Sequence, residues 1–443
     1  MSEGGCIERG RPGSCLITGA RLLDPATGMD RVGELRVEKG RITGVGDFLA
    51  PPHGRYELID ARGLCLAPGL VDMRAQFGEP GFEHKERLES GVRAAAAGGV
   101  TSVALLPATD PPIDDPAVLE FIARRARILR SVKVYPYAAL TRGLAGRQLA
   151  ELGLMHRAGA VAFTDGNRAI ADAQLMRRAL AYATSFDGLI VQHPEEPSLA
   201  GGGVMNHGAI AARLGLSGIP QCAEAMMVER DLHLVEMTGA RYHVAHISTA
   251  LAIDAVRRAK ARGLRVTAEA TPHHLALNEL EVEGYRTYAK VSPPLRAEED
   301  REAVVEGLVD GTIDVIASDH DPQDQDSKRL PFALAASGVV GVETMLAVSL
   351  RLVHEGRMTL LDLLRKMTVA PADLLGLEAG RLAVGAPADL ILFDPDAPWK
   401  VSEAGLSSLA KNTAFEGRLV NGRVHRTMVD GRTVHEWSPP SSR

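Results

Sequence analysis

His193, His246, Asp319 and Asp165 are the residues of this chain whose types and positions could do chemistry. Each stands at or just past the C-terminal end of a short apolar run: Asp165 after 160–163, His193 after 189–191, His246 after 242–245 and Asp319 after 315–318. If those runs are strands of one parallel barrel, all four residues face the same mouth, where such barrels carry their sites. Imidazole and carboxylate are ligands that zinc accepts, and bound Zn²⁺ brings the pKa of its water down to about 7, which makes a nucleophile at neutral pH. Asp319 is the candidate general base, a carboxylate able to carry a proton to or from a reacting group. Taken singly, a histidine at a strand end is more often a hydrogen-bonded structural residue than a ligand. Four such residues at four strand ends make a site hypothesis.

The elements that must position them are legible as a rhythm. Apolar runs at 70–73, 102–106, 132–137, 160–163, 189–191, 242–245, 266–270 and 315–318 alternate with helical stretches such as 86–97 and 250–261. Those two helices run into Gly98 and Gly263, as helix C-termini often do. Alternation of this kind predicts a parallel sheet, and eight strands predict closure into a TIM (β/α)8 barrel. The chain ends read differently. Short β-type runs in 14–66 are separated by turn pairs such as Asp24-Pro25 and Lys39-Gly40, and the texture returns in 388–434 with the hairpin turns Asn421-Gly422 and Asp430-Gly431. The fold class is therefore α/β: a barrel over 67–379, a small β-sandwich from 14–66 with 380–436, and a disordered N-terminus at 1–13.

Composition sets the outer bounds. In 443 residues, 45 % are hydrophobic and 24 % charged, with net charge −6, as in an ordinary soluble globular protein. That mild, dispersed charge argues against nucleic acid and against a polybasic membrane patch. Cys6, Cys15, Cys65 and Cys222 form no C-x-x-C pair and read as reduced thiols. With no signal-peptide core and no apolar run near the ~18 residues of a spanning helix, the expected location is the cytoplasm.

Longer motifs carry a specific resemblance. The stretch 68–73 (Pro-Gly-Leu-Val-Asp-Met), 79–86 (Glu-Pro-Gly-Phe-Glu-His-Lys-Glu), His246-Ile247-Ser248-Thr249, Thr271-Pro272-His273-His274-Leu275, Pro293-Pro294-Leu295-Arg296, Ala317-Ser318-Asp319-His320 and Lys411-Asn412-Thr413 occur in one order. Together with 93–99 they make the chain, from about Ser14 to Val434, resemble a bacterial dihydroorotase of the amidohydrolase superfamily. The resemblance implies closure of carbamoyl aspartate into dihydroorotate, and its reopening, by attack of a metal-bound hydroxide on a cyclic amide carbonyl.

Against that pattern the chain departs where the chemistry should be densest. The family's H-x-H metal clamp after the first strand falls on Arg74 and Gln76. A guanidinium offers no lone pair, and a unit positive charge ~4 Å from a dication costs about 8 kcal/mol at an effective dielectric of 20. The substrate-gripping Arg two residues further on corresponds to Gly78; the asparagines of the loop after strand two have gone, one being replaced by Asp110; Ser292 and Gln323 stand for another Asn and a substrate-contacting His. What the resemblance leaves of a metal site is His193, His246, Asp319 and Asp165.

Two expectations follow. In the first, the chain is not an enzyme but a dihydroorotase-like pseudoenzyme, a structural subunit bound to the catalytic chain of aspartate transcarbamoylase in a homo- or hetero-oligomer, without cofactor. Arg74 then neutralises Asp319 or Asp165 in place of a metal. In the second, it is an active cyclic amidohydrolase with a degenerate, mononuclear zinc site and Asp319 as base. Three further residue groups are expected to be structural or solvated: His273-His274 in a strand, Cys222 packing a helix start, and residues 323–326 as a loop over the barrel mouth.

Overall fold

The computed structural model describes residues 13–438, so the expectation of disorder at 1–13 falls almost wholly outside the described residues, as does Cys6. Every apolar run read as a barrel strand overlaps one, the run 160–163 by Phe163 alone. The first strand, Leu70–Ala75, pairs in parallel with Val100–Leu105, and that with Lys133–Pro136. The third strand breaks at Tyr137 and resumes as Ala138–Ala139, which pairs with Phe163–Thr164. Leu189–Gln192, Arg241–Val244, Val266–Ala270 and Val315–Ile316 follow in order. A parallel bridge from Ala75 to His320, with the Gln76 N–H donating to the His320 carbonyl at 2.8 Å, closes the ring.

Burial on both faces explains why these strands read as unbroken apolar runs, and it makes their polar members conspicuous. All six residues of Leu70–Ala75 are buried, Asp72 and Arg74 among them. Asp72 accepts from the Ser318 N–H at 2.9 Å and its hydroxyl at 2.5 Å, fastening strand one to strand eight. Burial pushes its carboxyl up to about 6. The fourth and eighth strands shrink to two residues each, Phe163–Thr164 and Val315–Ile316, because the chain turns out of the sheet just before the site residues.

Helices cover the outside, as expected, with one difference at an end. Leu88–Ala97 stops at Gly98, which stays right-handed at φ −80; the left-handed residue is Gly99 at φ +86. Ala250–Ala261 is capped at its start by the Thr249 hydroxyl, and Gly263 follows its end at φ +79. The two chain ends join in one eight-stranded sheet, where Leu390–Lys400 lies antiparallel to Cys65–Pro68. It closes over Ile17, Leu22, Leu35, Ile42, Leu66 and Leu390 as the β-sandwich core. Cys15, Cys65 and Cys222 are free; Cys222 is exposed at the start of Gln221–Thr238, so it does not pack that helix start as expected. Among the described residues no helix is long and apolar enough to cross a membrane.

Candidate active site

The barrel mouth is organised around Arg74. At 1 % exposure its Nε lies 2.7 Å from Oδ1 of Asp319, a residue held in the left-handed region at φ +46. Nη2 donates to the Asn167 side-chain oxygen and reaches the Gly166 carbonyl at 3.5 Å. A second carboxylate, Glu269 on the seventh strand, stands 3.9 Å from Nε, and His243 Nε2 is 3.3 Å from its other oxygen. Nη1 is buried with no partner. Of the two carboxylates expected to neutralise Arg74, Asp319 is the one that does.

His193 and His246 do come together, with Nδ1 of the first 3.1 Å from Nε2 of the second. His193 Nε2 is 3.1 Å from Oε2 of Glu195, which also accepts from the Ser292 hydroxyl at 2.9 Å. Burial raises the Glu195 carboxyl, but the His193 bond, the Arg296 charge and Ser292 outweigh it and hold the group below its ordinary value. Since that carboxylate only accepts, His193 donates to it through Nε2, and the Nδ1 to Nε2 contact joins the two rings. His246 Nδ1 has no partner among the described residues. Burial, followed by the Arg74 charge and by His193, pushes His246 well below its ordinary value, so this ring is neutral.

Asp165 is held apart from this centre by other bonds. Its Oδ1 accepts from the backbone N–H groups of Leu140 and Thr141, each at 2.9 Å, and its Oδ2 from the Thr141 hydroxyl. These bonds pin the loop after strand three and take Asp165 out of the ligand set. The neighbouring Asn167, two residues on, is what reaches the site. Among the described residues no three His, Cys, Asp or Glu side chains gather as metal ligands. A catalytic zinc usually has three protein ligands. Here the third donor, Asp319, is held by a guanidinium, so the residues present do not fit the zinc that the family's chemistry uses.

The other singled-out residues fall around this centre. Gln76 contributes the backbone bond that closes the barrel. Gly78 adopts φ +63, and a Cβ there would lie 2.6 Å from the Phe82 carbonyl oxygen and 2.7 Å from that of Glu86. Asp110 is exposed, with its N–H donating to the Pro80 carbonyl at 3.0 Å. Gln323 is buried, donating to Asp321 at 2.9 Å, and Asp324 caps the short helix Gln325–Lys328, so the expected loop is corrected at those residues, while Gln325 and Asp326 are exposed as expected. His273 and His274 lie in the helix Pro272–Ala276, not in a strand. His274 is structural, bridging the Thr271 hydroxyl at 2.8 Å and the Pro293 carbonyl at 3.1 Å. Burial takes both rings down to about 3.

Glu195, Glu269 and Asn167 were not anticipated. The signals were present: Glu195 follows His193 at i+2 on an extended segment, and Glu269 is a lone charge in the apolar strand Val266–Ala270.

A closed parallel barrel with site residues at its strand ends, flanked by a sandwich of both chain ends, defines the amidohydrolase class. Residues 236–435 match the family model described as "Amidohydrolase family". The solved L-hydantoinase (dihydropyrimidinase) from Arthrobacter aurescens superposes with a TM-score of 0.86 at 27 % identity, covering 96 % of each chain. More particularly, residues 63–251 match the model described as "Dihydro-orotase-like". A protein of Syntrophotalea carbinolica named Dihydroorotase is 48 % identical over 96 % of this chain and 99 % of its own. One of Syntrophus aciditrophicus, with the same name, is 46 % identical over 95 % and 99 %. The chain belongs to the dihydroorotase family. That finding corrects the expectation of a non-enzyme, because relatives at 44–48 % identity across nearly their whole length bear the name of an enzyme.

Proposed function

We propose that this chain is a cyclic-amide hydrolase that interconverts dihydroorotate and carbamoyl aspartate. The observation that carries the reading is the 48 % identity, over 96 % of the chain, to a protein named Dihydroorotase. The site offers groups suited to such a reaction. Nη1 of Arg74 is a buried donor without a partner, able to take the oxygen of an amide carbonyl as negative charge grows on it. Oδ2 of Asp319 accepts no hydrogen bond from the described residues, while Oδ1 is held by Nε. In hydrolysis the water oxygen bonds to the carbonyl carbon and gives its proton to Asp319; as the C–N bond breaks, the same proton passes to the nitrogen. Ring closure is the reverse. No metal enters these steps. Arg74, His193, His246 and Asp319 are only 0–6 % exposed, so substrate entry requires the covering segments to move.

The test is dihydroorotate hydrolysis and carbamoyl aspartate cyclisation by the purified chain beside Asp319→Asn. A positioned general base is worth about 10²- to 10⁴-fold, and a loss of that size is expected. A wild-type rate no higher than the variant's rejects the reading. The resemblance extends the proposal to a complex with the catalytic chain of aspartate transcarbamoylase. Mixing the two chains and following co-elution tests it, and separate elution rejects it.

A further inference from the structure

We infer that the guanidinium of Arg74 holds the cation position of this barrel, so that the site keeps its charge balance without a divalent metal. The inference concerns what the site contains, and it stands whichever ring the enzyme opens.

Three sets of contacts carry it. First, Arg74 directs its donors at oxygen: Asp319 Oδ1 at 2.7 Å, the Gly166 carbonyl at 3.5 Å and the Asn167 side-chain oxygen. A planar fork of donors matches such an oxygen set, with Nε on the carboxylate and Nη2 on the carbonyl and the amide. Second, its charge is shared between two buried carboxylates, since Glu269 lies 3.9 Å from the same nitrogen that bonds Asp319. An ionised carboxylate buried in the barrel is stabilised by a neighbouring positive charge, and no other cationic side chain pairs with Asp319 among the described residues. Third, most of the remaining metal-binding atoms have other partners. Asp165 is spent on Leu140 and Thr141, His193 Nε2 is on Glu195, and His193 Nδ1 faces His246 Nε2 at 3.1 Å, which leaves His246 Nδ1 as the one ring nitrogen of the pair without a partner among the described residues. A metal held by the two histidines would meet the fixed charge of Arg74, which already acts on His246. To admit it, Arg74 would have to leave Asp319 within a barrel where it is 1 % exposed.

The experiment measures metal content, which does not depend on activity, so its failure is distinct from failure of the hydrolase reading. The purified full chain is incubated with excess Zn²⁺, desalted and analysed by mass spectrometry of the elements, beside His193→Ala. The expected result is less than a tenth of an equivalent in both, with the same melting midpoint in Zn²⁺ and in EDTA. Zinc retained equally by both proteins lies outside this site and also agrees with the inference. About one equivalent retained by the wild type and lost in His193→Ala overturns it. As a second arm, Arg74→His with Gln76→His restores the H-x-H spacing and should gain zinc, with a midpoint raised by Zn²⁺. A folded double variant that takes up no more zinc than the wild type overturns the assignment to Arg74. If the double variant does not fold, the wild-type measurement decides alone.

Discussion

Replacing Arg74 by Ala tests whether a fixed charge sustains the barrel mouth. The substitution leaves Asp319 and Glu269 buried without the cation 2.7 and 3.9 Å away, and empties the space of a side chain that is 1 % exposed. Removing one partner of a buried ion pair costs about 3–5 kcal/mol, and the slight exposure of Asp319 places this case toward the lower figure. Unfolding entropy near 2.1 cal/mol/K per residue gives roughly 0.9 kcal/mol/K for 443 residues, so the midpoint should fall by roughly 3–5 °C if the chain unfolds as one unit. The shift is larger if the barrel melts separately. Calorimetry in EDTA reads it with no metal present, which separates the charge of Arg74 from any ligand effect. A companion, Arg74→Met with Asp319→Leu, removes the closer pair and leaves Glu269 alone, so it should recover part of the loss, since an ion pair exchanged for packed apolar groups is often neutral. An Arg74→Ala midpoint within about 1 °C of wild type would refute the argument. So would a double variant that loses more than the two single variants together.

Other perturbations test neighbouring parts of the same reasoning. Gly78→Arg restores the side chain that the family resemblance expects, but φ +63 and carbonyl oxygens 2.6 and 2.7 Å from the added Cβ oppose it. A lower midpoint with no gain in KM is expected, and a lower KM at unchanged stability would show that the loop accommodates the residue. Lys328 donates to the carbonyls of Ala336 at 2.7 Å and Thr287 at 3.2 Å, and burial lowers its amine from 10.5 to about 7. The unfolded chain therefore binds the extra proton above pH 7, so this contribution to stability grows from pH 7 toward 10.5 and is lost as pH falls through 7. Between pH 7 and 9 the wild type should gain on the order of 2 kcal/mol relative to Lys328→Met; parallel melting curves for the two proteins across that range would count against it. Gly69→Ala places a Cβ 2.1–2.6 Å from the Thr101 side chain and should lower the midpoint of the barrel, which thermal melting reads directly.

The barrel was legible because its strands are buried on both faces and its helices on one, so the two periods alternate visibly along the chain. All eight runs overlap strands, and 14–66 joined 390–436 in one sheet through Leu390–Lys400 and Cys65–Pro68. The centre was legible only in part. Arg74 was conspicuous as a cation where the family pattern has a metal ligand, yet its choice of Asp319 over Asp165 depends on a loop, since Leu140 and Thr141 claim Asp165 with backbone N–H groups. Backbone donors leave no trace in residue type. Glu195 escaped for a related reason: an acidic residue two positions from a histidine is common, and only the fold brings Ser292 and Arg296 to it from about a hundred residues away. What the sequence displayed as a list of lost residues is, in three dimensions, a replacement set. Arg74 meets Asp319 and Asn167, and Ser292 meets Glu195, so these two departures from the family pattern each have a partner at the centre. Unconstrained loss of a metal site would leave Asp319 and Glu195 as unpaired buried carboxylates, each costing several kcal/mol. Their pairing means that the altered residues are coupled, and that restoring one family residue alone should destabilise the site before it restores chemistry.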